Sequence, residues 1–319
     1  MKSARATVVL PTLEGEHELS ELLPALRAQR ELDGSPLSLQ IAAVDSSSSD
    51  NTLALLEEHG AEVEVIERRE FGHGRTRNQA AARARAPYLV FVSQDVLPAD
   101  EHAIAHLLAA FEDERAVGAY SRVLPHPQDD PLTARTVLDL PESSEDGWVR
   151  DLDAVEGVWA LDAETRARYL RFNNVASAIR TEVFRAIPFP EVAFAEDFAW
   201  ASRALTAGHR IAYAPASRVF HAHSYSLAKA KERYQVDALF HYTAHGLRVR
   251  PNVLSALRGF AYEVLRDLRY LRRQSQRGRL GSALRSPALR AAQILGQYLG
   301  SHGVRPTTAR ADVVGSLHL

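Results

Sequence analysis

Apolar and polar positions along the first 113 residues fall into two alternating patterns. The short apolar runs Ala6–Leu10, Leu39–Val44, Glu62–Ile66 and Tyr88–Val92 have the length and β-branched content of strands. Between them, Leu19, Leu22, Leu23 and Leu26 recur at helical spacing within 17–30. Leu53, Leu55 and Leu56 mark a helix that Asp50 can cap and Gly60 can stop. An Ala/Arg helix over 76–86 is halted by Pro87, and Ile104, Leu107, Leu108 and Phe111 share one face of a helix over about 100–113. Strand and helix alternate with short connections, which predicts an α/β fold: a mostly parallel sheet with helices on both faces. Ligands of such sheets sit at the carboxyl ends of the strands. The positions to read for chemistry are therefore Pro11-Thr12, Asp45 and Ser93-Gln94-Asp95.

From 124 to 161 the pattern fails. This acidic, Pro-bearing stretch with Trp148 and Trp159 reads as an irregular loop or short helices. Regularity resumes in a strand at Val175–Ile179, a helix over 197–207 ended by Gly208, and a strand at Arg210–Ala214. From about 252 the chain turns helical. Leu254, Leu257, Ala261, Val264, Leu265, Leu268 and Leu271 form an apolar stripe, with Arg258, Arg266, Arg269, Arg272 and Arg273 around it. A basic amphipathic helix of this kind can lie in a membrane interface; the plainer expectation is a helix packed on the domain with a solvated Arg face. A shorter helix is expected over 288–299.

Composition adds two constraints. The 319-residue chain, 46% apolar and 24% charged, is long enough for one well-buried domain with an appendage. It contains no cysteine, which excludes disulfides, zinc–thiolate sites and thiol nucleophiles. Residues 1–7 lack the apolar core of a signal peptide, and no run approaches the roughly 18 apolar residues of a spanning helix, so a cytoplasmic location is expected. Net charge is −2, but residues 241–300 carry eleven arginines against only Glu263 and Asp267. A basic tail on an acidic body points to an anionic surface as its partner.

Several strand ends carry chemistry-bearing residues. Asp45, followed by Ser46 to Thr52, can accept hydrogen bonds from a base or ribose, or can simply be a turn residue with Asp50 as a cap. In Phe71-Gly-His-Gly-Arg-Thr-Arg-Asn78, glycines before a helix let backbone and arginines approach phosphate. Arg77 occupies the place of the third glycine of a dinucleotide fingerprint, so a diphosphate clamp fits better than that fingerprint, with ordinary surface arginines as the alternative. Asp95 can hold a divalent metal with donor phosphates. Glu196-Asp197 opens a helix; the pair is either cap and dipole complement or contains a general base. His221 and His223 point to one side of an extended segment, as a metal pair would, or as one ligand with one structural histidine.

Taken in order, these pieces resemble the family 2 glycosyltransferases, whose catalytic domain has the Rossmann-like GT-A fold. The resemblance runs from about 5 to 245, and FGHGRTRN, SQDVLP, AEDFAW and FHAHSYS are closest to the bacterial rhamnosyltransferase-like subset. It implies a catalytic domain over 1–245, with a nucleotide-binding half over 1–123 and an acceptor half over 124–245. The basic helical region 246–319 follows as an appendage. It also implies that Pro11, Thr12 and Asp45 hold the nucleotide, and that Arg75, Arg77 and Asn78 line the donor pocket. The family's DxD falls on Ser93-Gln94-Asp95, where only the second acid survives, so Gln94 is expected beside the donor and Asp95 on Mg²⁺ or Mn²⁺. The family's ED pair falls on Glu196-Asp197, making Asp197 the expected base, and His221 or His223 would complete the metal shell.

The implied reaction is inverting transfer from a nucleotide-diphosphate sugar, with dTDP-L-rhamnose first, to a saccharide or lipid-linked acceptor. The body is expected in the cytoplasm, peripheral on the inner membrane face through 252–300, with a homodimer contact as the alternative use of the tail. A metal-dependent hydrolase built on His221, His223, Glu196 and Asp197 would leave the Asp45 strand end and FGHGRTRN without a role. A nucleic-acid role for the tail ranks low, because only Phe260, Tyr262, Tyr270 and Tyr298 are available there for base stacking.

Overall fold

Alternation of side chains along the first strands decides the architecture. In β1 (Ala6–Thr12), Val8 and Leu10 enter one apolar cluster while Val9 enters another on the opposite face. The same split recurs in β2 (Leu39–Asp45) and in β4 (Tyr88–Val92), where Val90 and Val92 face one way and Leu89 and Phe91 the other. With β3 (Glu62–Val65), these strands lie parallel in the order β3-β2-β1-β4. Helices α1 (Glu16–Arg27), α2 (Thr52–Glu58) and α4 (Ala103–Ala109) bury their leucines on one face. The other face is covered by α3 (His73–Ala81), α7 (Thr181–Ala186) and α8 (Glu196–Thr206). The computed structural model describes residues 4–192, 194–273 and 279–306.

Beyond β4 the sheet becomes mixed. β8 (Ala176–Arg180) runs antiparallel to β4, and β6 (Ala116–Leu124) pairs antiparallel with β8 and parallel with β9 (Arg210–Phe220). The β6–β9 register breaks between Ser121↔Ala214 and Arg122↔Arg218. On either side of that break β9 serves two further antiparallel strands, β7 (Trp148–Arg150) on Ile211–Tyr213 and β5 (Leu97–Pro98) on Val219 and Phe220. The β5 pairing matters for function, since it seats the chain after Phe220 beside the chain before Leu97.

The structure corrects several expected boundaries. The helix expected over 76–86 begins at His73, because the Gly72 carbonyl already accepts the Thr76 amide at 2.8 Å, and it ends at Ala81. The helix expected over 100–113 is regular only over 103–109. Asp50 does bind the start of α2, accepting the Thr52 amide at 3.1 Å, although the helix boundary falls at Asn51. Strand β6 escapes the sequence pattern because Gly118 interrupts its apolar run; a Cβ there would meet the Trp200 ring at 2.6 Å. Within 124–161 the short elements are α5 (Pro131–Leu138), capped by Asp130, and β7; α6 (Ala163–Tyr169) follows.

Three long helices close the described chain: α9 (Leu227–His245), α10 (Val253–Arg273) and α11 (Arg279–Ser301). The sequence pattern misses α9 and shows only half of α11 because their shared interface is built from small and polar residues. A Cβ on Gly296 or Gly300 would overlap the carbonyl oxygens of Lys231 and Gln235, so the two backbones touch. No described helix is long and apolar enough to cross a membrane.

Candidate functional site

Thr12 and Asp45 are register partners at the carboxyl ends of β1 and β2. Thr12 Oγ1 donates to Asp45 Oδ2 at 2.8 Å, and the Ser48 amide and hydroxyl donate to the two Asp45 oxygens at 2.8 and 2.7 Å. Asp45 is fully buried, so its carboxylate shapes the strand-end loop from inside it. Pro11, half-buried, sits beside it opposite Val44. Gln94 is also committed: its Oε1 accepts the Leu13 amide at 2.8 Å and its Nε2 donates to the Leu13 carbonyl at 3.0 Å. This amide therefore fastens the end of β1 to the segment after β4.

FGHGRTRN is used differently from what its sequence suggests. Gly74 is required by packing, since a Cβ would overlap the Pro190 carbonyl oxygen. Asn78 holds the neighbouring backbone, donating to Phe189 O at 2.8 Å and accepting from Phe189 N at 3.1 Å. Arg77 is buried and donates to Glu196 Oε1 at 2.9 Å. Of the two arginines only Arg75 is exposed, its guanidinium on the Glu70 carbonyl.

Across the sheet, α8 begins at Ala195, which has φ +61°, the left-handed region that a non-glycine residue enters only at some cost. That turn delivers Glu196 and Asp197 to the first turn of the helix. Glu196 is occupied by Arg77 and by Asn174 Nδ2 at 3.2 Å, and Ser177 in turn donates to Asn174 at 2.9 Å. Among the described residues Asp197 accepts only backbone amides, Phe198 N at 2.9 Å and Asn174 N at 3.4 Å. Burial, with the negative charge of Glu196 next, pushes its carboxyl up to about 7. The sequence does not single out Asn174, whose one signal is the Asn173-Asn174 pair immediately ahead of β8.

Asp95, His221 and His223 come together through the β5–β9 pairing. Each histidine Nε2 lies 3.4 Å from Asp95 Oδ2, and all three ligand atoms fall within 4.8 Å of one another. Burial disfavours the charged form of Asp95, but the His221 hydrogen bond and the two imidazoles outweigh it, leaving the carboxyl below its ordinary range. Burial lowers His223, which favours the neutral, ligating imidazole. One carboxylate and two imidazoles suit a divalent cation, and imidazole suits Mn²⁺ better than the oxygen-seeking Mg²⁺. Glu196 and Asp197 are not in this ligand group, but they line the same cavity as His221 and His223.

A cavity of about 560 Å³ opens from His221 and His223 past Asp197. Phe194, Phe198 and Phe240 line it as edge-to-face partners, joined by Tyr225 and Tyr234, while Arg171, Arg233 and Asp237 supply charge. Arg285, Leu289, Gln293 and Gln297 of α11 complete the wall. Aromatic faces with a few converging polar groups make a small-molecule site. The expected donor-side residues Pro11, Thr12, Asp45 and Arg75 do not line this cavity.

The sequence profile of Glycosyl transferase family 2 matches residues 7–174, just over half of the chain. The chain is 31% identical over 205 residues to the O-antigen chain rhamnosyltransferase WbaN of Salmonella anatum, covering 63% of this chain and 62% of that protein, less than two thirds of its length. It is 28% identical over 241 residues to the O-antigen chain rhamnosyltransferase RfbN of Salmonella typhimurium, covering 74% and 72%. Among solved structures it is similar to a mannosyltransferase from Pyrobaculum calidifontis in complex with GDP-Man and Mn2+. That likeness has TM-score 0.51 at 17% identity, over 94% of this chain and 74% of that one. It shows the fold alone, the GT-A type α/β architecture expected from the sequence.

Proposed function

The chain belongs to glycosyl transferase family 2, and from that premise we propose that it transfers a sugar, with inversion, from a nucleotide-diphosphate donor to an acceptor hydroxyl. Two rhamnosyltransferases among its relatives support L-rhamnose from dTDP-L-rhamnose as the first donor to test. They equally support an acceptor in surface polysaccharide synthesis, saccharide or lipid-linked, and with it a cytoplasmic location. In this reading residues 1–245 are the catalytic domain and the basic region after it lends α11 to the acceptor wall; residues 274–278 and 307–319 of the appendage expected over 246–319 lie outside the described residues.

One observation carries the proposal: Asp197, raised to about 7 and bonded to backbone amides, faces a 560 Å³ cavity next to Asp95, His221 and His223. Asp197 takes the proton of the acceptor hydroxyl as its oxygen bonds to the anomeric carbon, and the bond from that carbon to the donor diphosphate breaks. The aromatic and polar wall of the cavity orients the acceptor. Thr12, Asp45 and Gln94 shape the loops that hold the nucleotide, and Arg75 is the exposed cation that would meet the diphosphate. A divalent cation, when bound by Asp95, His221 and His223, would supply neutralising charge for the leaving diphosphate.

Thermal unfolding with a panel of sugar nucleotides and Mn²⁺ tests the donor, since a ligand of the folded state raises its melting point. The expected result is selective stabilisation by dTDP-L-rhamnose, followed by transfer to a saccharide acceptor seen by mass spectrometry. Sugar released only to water, whatever acceptor is supplied, would overturn the reading.

A further inference from the structure

Helix α10 carries its apolar stripe on the outside. Leu254, Leu257 and Leu265 are 50–60% exposed, and Val253 and Tyr262 are equally bare; of the stripe read from the sequence only Leu271 is buried. Ions face inward instead. Asp267, fully buried, accepts from Arg290 Nε and Nη2 at 2.8 Å, from Ser286 Oγ at 2.5 Å, and from Arg135. Glu263 also turns inward to Arg135, and Gly259 packs beneath the Arg250 guanidinium. A buried ionic anchor therefore fixes the rotation of the helix and holds Leu254, Leu257 and Leu265 in solvent.

The neighbouring helix does the same. On α11, Leu280 and Leu284 are 76% and 84% exposed, and Pro287, Ala288, Ala291 and Leu295 continue that face at helical spacing. Its opposite face is held on α9 by Gly296 and Gly300. Bare apolar stripes on two adjacent helices mark an interaction surface. The charges nearby are of one sign. Arg258, Arg269, Arg272, Arg273 and Arg279 are exposed and pair with no acid among the described residues. The only acids of residues 246–306, Glu263 and Asp267, are the two turned inward.

We propose that the outer face of α10 and α11 docks on an anionic phospholipid surface. Leucines bare of partners enter the boundary of the acyl chains, and the arginines meet lipid phosphate. A second copy presenting the same face would set Arg against Arg with no acid between them, so the charge favours lipid over self-association. The inference does not depend on the sugar-transfer reading.

The experiment is flotation of the full chain with phosphatidylcholine vesicles, with and without phosphatidylglycerol, at low and high salt. Light scattering of the free protein accompanies it. Leu257→Glu with Leu265→Glu, and Arg269→Gln with Arg272→Gln and Arg273→Gln, change only exposed side chains, and melting curves check that both variants fold. Binding is expected on the phosphatidylglycerol vesicles, weakened by salt and lost at least tenfold in each variant, about fivefold for each arginine removed. No flotation, equal flotation of the variants, or a dimer that the leucine variant splits without any vesicle binding would each overturn the proposal.

Discussion

Arg77 Nη1 and Glu196 Oε1 lie 2.9 Å apart with both side chains buried, joining α3 to the first turn of α8. Removing either partner would strand a charge in the interior, which makes the pair a positioning element. It also separates the roles of two adjacent acids. Glu196 Oε1 takes both Arg77 and Asn174, while Asp197 accepts backbone amides. Arg77 is consequently committed to this buried pair, and Arg75 is the arginine whose loss tests a diphosphate contact.

Asp197→Asn removes the base without altering volume. Transfer should fall by a factor on the order of 10² to 10⁴ while donor affinity stays near wild type. Steady-state kinetics and calorimetry with the nucleotide sugar read the two quantities separately. Wild-type turnover in this variant would remove Asp197 from the chemistry.

The pH profile follows from the same residue. Below about 7 the raised carboxyl is protonated and cannot accept the acceptor's proton, so kcat should climb with pH and level off above that value. Glu196→Gln removes the negative neighbour and leaves the Arg77 charge less compensated, both of which favour ionised Asp197. The acid limb should therefore move to lower pH. An unmoved limb in a folded variant would show that another group titrates there.

Chelation probes the Asp95, His221 and His223 cluster. Removing divalent cations should stop transfer, and Mn²⁺ should restore it at lower concentration than Mg²⁺, because two of the three ligands are imidazoles. His223→Ala should weaken Mn²⁺ binding by about tenfold or more in calorimetry. Full activity in chelator would exclude a metal role for the cluster.

Asp45→Ala and Arg75→Ala separate shaping from contact. Both should weaken nucleotide-sugar binding. Only Asp45→Ala should also lower the melting temperature, because it leaves Thr12 and Ser48 without their buried acceptor. Arg75 is exposed, so its loss should leave stability unchanged while reducing affinity. Unaltered affinity in both variants would dismiss this strand-end pocket.

The parallel half of the sheet is legible in the sequence because β1, β2 and β4 alternate between two buried faces, and the strand-end rule then points at Thr12, Asp45 and Asp95. Later elements are hidden where contact replaces hydrophobicity. Gly118 in β6 exists for the Trp200 ring, and α9 meets α11 through glycines and Gln235. The stripe of α10 is visible, but its outward direction is not, since that depends on Arg135 reaching Asp267 from a helix 132 residues away. Gln94, Arg77 and Asn78 are visible as polar residues at strand and helix ends, but not their bonds to Leu13, Glu196 and Phe189, which depend on segments distant in sequence.

The approach of α11 to α9 yields the last prediction. A Cβ on Gly296 would overlap Lys231 O, and one on Gly300 would overlap Gln235 O, so no rotamer choice relieves the clash and the helices must separate. Overpacking of this kind costs about 1–3 kcal/mol, which corresponds to several degrees in melting temperature for a chain of this size. Separation would also withdraw Arg285, Gln293 and Gln297 from the wall of the cavity that holds Asp197. Gly300→Val should accordingly lower the melting point and raise the acceptor KM, with donor affinity unchanged because the strand-end loops are remote from α11. Pro287→Ala, at an exposed position of the same helix, serves as the control and should leave the acceptor KM alone. If Gly300→Val lowered stability but kept the wild-type acceptor KM, α11 would be a brace for α9 and not part of the acceptor site.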